Sequence, residues 1–251
     1  MPVSFANYFT AMIKLHLLGT IRVESDQQDG VDALAGQPKA LALFAYLALA
    51  RPRGFHQRDR IVGLFWPELD QEHARAALRK VLYRLRQSIH EEIVQAAGNE
   101  SIALAPGTVW CDAAAFDEDI QRGSFSRALE RYRGDLLPGF FLPGADEFER
   151  WLDDERTYYR ERAVNAAWTL VEQFANEAKL TNATQLARTV ARLAPTDERM
   201  LRKVLTMLDR LGDRAGAVEV YRQFAQRLWK EFQTEPSAES AELIRRIQAR
   251  T

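Results

Sequence analysis

Residues 73–90 read HARAALRKVLYRLRQSIH, with five Lys or Arg and no Asp or Glu. Setting residues 100° apart sorts them onto distinct faces. Ala74, Leu78, Val81, Leu82, Leu85 and Ile89 fall together and must pack inward. Arg75, Arg79, Tyr83 and Arg86 form the adjacent stripe. Lys80 and Gln87 lie further round, and Arg84 sits near the far flank. The stretch therefore predicts a helix with an apolar anchor and a basic, hydrogen-bonding outer surface.

Working back along the chain, Trp66-Pro67-Glu68-Leu69-Asp70 reads as a loop in which Asp70 caps the basic helix. A short helix is predicted from Gln57 to Phe65. Arg51-Pro52-Arg53-Gly54 breaks an earlier helix that opens at Gln37-Pro38 and runs to Ala50. Ile13–Leu17 and Ile21–Val23 alternate as strands, Asp26–Gly30 is turn-like, and Val31–Leu34 adds a short strand. Working forward, Ile93-Val94 and Ser101–Leu104 flank Ala97-Gly98-Asn99 as a hairpin, and Val109–Asp112 is another extended piece. Residues 12–112 thus read as one α+β domain after a flexible start at 1–11. Strands, three helices and then a hairpin is a winged helix-turn-helix arrangement.

From Ala113 onward the pattern is helical, with helices predicted over 113–121, 124–132, 145–177, 182–193, 197–211, 213–231 and 237–249. Arg133–Gly144, with three glycines and two prolines, is a loop. Leu180-Thr181-Asn182 and Leu211-Gly212-Asp213 lie 31 residues apart and each opens an amphipathic helix. That spacing resembles tetratricopeptide-type helix pairs, whose period is near 34 residues. A plain α-bundle is the other reading, and both give stacked helical hairpins. Residues 113–251 are therefore a second, all-α domain, tetratricopeptide-like in its helix pairing.

A major groove admits one α-helix, and Arg or Lys there reaches guanine acceptors or phosphates. On this reading Arg75, Arg79, Lys80, Tyr83, Arg84 and Arg86 contact groove and backbone of double-stranded DNA. Arg51, Arg53 and Arg58 are the upstream candidates for flanking phosphates. The bland alternative is a solvated or partner-binding face. Bulk charge gives no help. The net charge of the 251 residues is −1, and residues 1–112 hold 12 basic and 12 acidic side chains.

Other chemistries find little footing. The single cysteine, Cys111, excludes an intrachain disulfide. His16, His56, His73 and His90 lack metal-ligand spacing, and no glycine pattern fits a dinucleotide or phosphate loop. No enzyme activity and no cofactor are expected. Met1–Ala11 carries no Lys or Arg, unlike a signal peptide, and the uncharged run Ala40–Ala50 falls far short of the roughly 20 residues of a membrane span. A cytoplasmic protein without membrane contact is expected.

Several short patterns resemble a known family. Leu64-Phe65-Trp66-Pro67-Glu68, His73–Arg79 and Leu85-Arg86 resemble the DNA-binding domain of Streptomyces-type antibiotic regulatory proteins, itself similar to the winged helix of OmpR-type response regulators. Val109-Trp110-Cys111-Asp112 with Phe116 resembles that family's junction. Tyr132-Arg133-Gly134-Asp135-Leu136-Leu137-Pro138-Gly139-Phe140 resembles the most characteristic motif of the bacterial transcriptional activator domain. Glu149-Arg150-Trp151-Leu152, Asp154-Glu155-Arg156 and Glu235-Pro236-Ser237 follow in the family's order. The resemblance spans about residues 12–249 and implies an activator that binds repeated promoter sites. It implies that the helical domain contacts RNA polymerase or forms a homodimer. The hairpin turn Ala97-Gly98-Asn99-Glu100 departs from a basic wing, having no Arg or Lys. A helical scaffold whose winged helix no longer binds DNA is therefore the rival reading.

Overall fold

The computed structural model describes residues 12–25, 34 and 36–249. The flexible start expected at 1–11 and the turn at 26–30 lie outside them. So does the strand expected at 31–34, except Leu34, which is buried and helical. The chain divides into two compact units. The first takes the described residues up to Glu118 together with Arg131–Arg156, and the second takes Asp119–Glu130 and Thr157 onward.

In chain order the elements begin with β1 (Ile13–His16), β2 (Arg22–Glu24), α1 (Pro38–Leu49), β3 (His56–Gln57), α2 (Arg58–Phe65) and α3 (Gln71–Ser88). A 3₁₀ turn (Glu91–Ile93), β4 (Val94–Ala97), β5 (Ser101–Leu104) and β6 (Val109–Cys111) follow. The remainder is helical: α4 (Asp112–Gln121), α5 (Phe125–Arg131), α6 (Asp146–Asn176), α7 (Leu180–Leu193), α8 (Glu198–Arg210), α9 (Arg214–Phe232) and α10 (Ala238–Gln248).

The first unit is small and mixed α/β. One sheet has the order β2-β1-β6, with β2 antiparallel to β1 and β6 parallel to it through Leu15 and Cys111. A second sheet has the order β3-β5-β4. Here the structure adds a strand, β3, that two residues could not announce by alternation. His56 pairs with Ile102 and Gln57 with Ser101, which ties the start of α2 to the hairpin. Helix α1 packs against α3 and β5 and is buried on nearly every side, as its uninterrupted apolar sequence requires.

The sequence boundary at 112/113 does not coincide with the compact units, because residues 131–156 pack with the first. Leu137 donates its N–H to the Leu17 carbonyl at 2.8 Å, and Gly19 donates to Asp135 at 2.9 Å. Gly19 has φ +79°, and a Cβ there would lie 2.5 Å from the Arg133 backbone, so this close crossing needs glycine. Arg156 donates to the carbonyls of Leu136, Leu137 and Phe140 at 3.1, 2.9 and 2.9 Å, holding the 136–140 loop in shape. Phe148 and Trp151 carry the N-terminal end of α6 into the aromatic core. The Phe148 ring lies 4.9 Å from Phe65, and Trp151 lies 5.0 Å from Tyr46, centroid to centroid. The buried Asp112 carboxylate accepts from the N–H groups of Leu17, Leu18 and Ala113 at 2.9, 3.1 and 2.7 Å.

The described residues of the second unit are all helical or connecting turns. Val190, Val204, Leu205, Leu208, Val220 and Phe224 form its core. Asp197, Asp213 and Ser237 cap α8, α9 and α10 through side-chain oxygens. Arg188 on α7 donates to Asp213, a bond that fastens the first helix pair to the start of the next.

Candidate nucleic-acid interface

Helix α3 carries the basic stripe. Its N-terminus is fixed by Asp70, whose carboxylate accepts from the His73 N–H at 3.0 Å and pairs with the His73 ring at 2.7 Å. Ala74, Leu78, Val81, Leu82, Leu85 and Ile89 are all buried, so the helical phase read from the sequence holds. Trp66 is buried too, against Phe65 and under the Lys39 ammonium. The opposite face of α3 exposes Arg79, Lys80, Tyr83 and Arg84, with Tyr83 63% accessible. Among the described residues, Arg79, Lys80 and Arg84 make no ion pair.

The other sequence candidates are engaged. Arg75 pairs with Asp59 at 2.7 Å and with Glu100 at 3.4 Å, and this holds Asp59 below the usual carboxylate range. Arg86 donates to the Val94 carbonyl at 3.2 Å. Arg51 donates to the buried Glu155 at 2.6 Å, and Arg53 pairs with the buried Asp117 at 3.4 Å and also with the Ala48 carbonyl. Those two arginines brace the first unit internally. Arg58 is half-buried, and its Nε has no hydrogen-bond partner. Burial, then the nearby Arg75, Arg86 and Arg79, pulls its pKa down.

Sequence reasoning missed the acids. Asp59 and Glu100 lie 41 positions apart and meet only because β3 pairs with β5, which sets the hairpin turn beside the first turn of α2. Arg58 donates its backbone N–H to the Glu100 carbonyl at 2.7 Å, marking that junction.

Comparison with known proteins bears on the helical part most directly. The profile of the bacterial transcriptional activator domain matches residues 112–248. The chain belongs to that family. Its start at Asp112 falls where β6 gives way to α4. Among solved structures, this family member is similar to Mycobacterium tuberculosis EmbR in complex with low affinity phosphopeptide, with a TM-score of 0.59 and 18% sequence identity. The match covers 96% of this chain and 66% of that one, so the chain spans about two thirds of its structural relative. At that identity the likeness is one of fold, a mixed α/β N-terminal part followed by helices. No curated protein sequence matches the chain. No helix among the described residues is long and apolar enough to cross a membrane.

Cys111, in the strand before this domain, is buried, and burial first and the Asp112 charge second push its thiol up to about 12. At about pH 8 roughly one thiol in ten thousand is then ionised. A disulfide reagent is expected to leave Cys111 untouched in the folded protein and to titrate it fully in denaturant. Rapid labelling without denaturant would contradict that burial.

Proposed function

We propose that the chain is a sequence-specific transcriptional regulator, an activator, that binds double-stranded DNA through α3. The observation that carries this is one helix with a fully buried apolar face and an opposite face exposing Arg79, Lys80, Tyr83 and Arg84. In this reading α2 and α3 are the helix-turn-helix, α3 lies in the major groove, and the β4–β5 hairpin is the wing. Arg75 and Arg86 support the groove contacts, and Arg58 meets the backbone. The braced Arg51 and Arg53 have less freedom to reach phosphates. Membership in the activator family supports the regulatory role. The helical unit, with tetratricopeptide-like pairing, serves contact with RNA polymerase or a second copy. The protein acts in the cytoplasm, by binding and without catalysis.

The test is competition. A labelled duplex from the promoter beside the protein's own gene is expected to stay bound under excess unrelated duplex. Complete loss of signal to the competitor would leave only non-specific binding. One observation favours a second reading, a helical scaffold that has lost DNA binding: Asp59 and Glu100 neutralise Arg75, and the hairpin turn carries no cation. Under that reading no duplex is retained at any salt.

A further inference from the structure

A groove runs between the first turn of α2, the outer side of α3 and the hairpin turn. Arg58, Arg75, Arg79 and Arg86 line it together with Asn99, over a floor of leucine side chains. Four guanidinium groups in one groove repel each other, and burial first and the neighbouring arginines after it pull the Arg58 pKa down. The only carboxylates paired with any of the four, among the described residues, are Asp59 and Glu100, and both sit on Arg75. Arg58, Arg79 and Arg86 bring positive charge to the groove and make no ion pair among the described residues, and the Arg58 Nε is buried without an acceptor there. Such a site is completed by an anion, and planar guanidinium donors match the oxygens of a phosphate. Arg79 lines the groove and is the i,i+4 neighbour of the exposed Tyr83, so a polyanion lying along the outer side of α3 meets the groove.

The two acids hold Arg75 unequally. Asp59 accepts from the Arg75 Nε at 2.9 Å and pairs with its Nη2 at 2.7 Å, a two-point grip that aims the side chain. Glu100 reaches the same Nη2 at only 3.4 Å, from the hairpin turn, with its side chain 72% exposed. Solvation makes that second contact cheap to release.

We propose that this groove seats one backbone phosphate of bound DNA, held by Arg58, Arg79, Arg86 and the Asn99 amide, and that Glu100, the weaker partner of Arg75 at the edge of the same groove, is a displaceable acid whose charge opposes that phosphate. The proposal rests on the DNA-binding reading and adds to it a named phosphate contact and an acid that weakens it. Removing the acid therefore strengthens binding, the reverse of what loss of a supporting contact does.

The experiment measures duplex affinity of the full chain and of E100Q and R58Q, at low and moderate salt, on the promoter fragment. Glu100→Gln is expected to raise affinity about three- to tenfold at low salt, with the gain shrinking as salt screens it. Arg58→Gln is expected to lower affinity about tenfold and to reduce the slope of log affinity against log salt by about one. Thermal unfolding of each variant checks the fold, and relief of cation crowding leaves R58Q at least as stable as the parent. A scan of single neutral methylphosphonate linkages then locates the contact. At one position the parent loses affinity and R58Q loses nothing further. If the parent binds duplex while E100Q and R58Q bind as it does, the phosphate seat is wrong and the DNA reading stands. If the parent binds no duplex, both fall.

Discussion

Replacing Arg79 with alanine is expected to weaken promoter binding by about 1–3 kcal/mol, roughly 5- to 150-fold, without lowering the unfolding temperature. Arg79 lies in the third turn of α3, exposed and in no ion pair among the described residues, while Leu78 and Leu82 beside it are buried. Its guanidinium is held ready by the helix and is committed to nothing inside the protein. Arg75 is the built-in comparison, because its charge is already balanced by Asp59 and Glu100 and its alanine variant should lose less. Fluorescence anisotropy titrations of both variants check the ranking. Equal affinity of R79A and the parent would remove Arg79 from the interface.

Phe148→Ala is expected to destabilise the first unit by about 3–5 kcal/mol. The side chain is fully buried, and its ring lies 4.9 Å from Phe65, 5.3 Å from Trp151 and 6.3 Å from Phe140. The loss falls on α2, since Phe65 closes that helix, and through α2 on the placement of α3. By the same reasoning a fragment ending at Asp112 lacks the partners of Tyr46, Phe65 and Leu17 and should unfold well below one ending at Arg156. Urea denaturation followed by tryptophan fluorescence reads both effects. A Phe148→Ala midpoint equal to the parent's would mean that residues 131–156 do not share the first unit's core.

These expectations show which features local pattern carries. The phase of α3 was legible because buried and exposed residues alternate at helical spacing from Ala74 to Ile89, and Asp70 marks its start by a local capping bond. The long helices were legible for the same reason, their ends falling within a few residues of punctuation such as Gly212-Asp213 and Pro236-Ser237. What pattern did not carry is long-range pairing. Strand β3 is two residues long and exists only because β5 lies beside it. The place of residues 131–156 depends on Leu17 and Gly19 meeting a loop more than a hundred positions away. The site divides along the same line. Basic residue identity on α3 is local, but the sorting of arginines into free, paired and bracing groups depends on Asp59, Glu100, Asp117 and Glu155, which reach them through the fold.

The salt dependence of duplex binding tests the central claim most directly. Neutralising phosphates releases condensed cations, so log affinity must fall linearly with log salt, at about −0.9 for each phosphate contact. With about three such contacts from α3 and the start of α2, affinity should drop roughly fortyfold between about 50 and 200 mM monovalent salt. A slope near about −2.7 is the result expected of an interface in which Arg58 and Arg79 share one phosphate and Lys80 and Arg84 each meet another. Absence of duplex binding even at low salt, or binding indifferent to salt, would contradict it and leave the protein a helical scaffold.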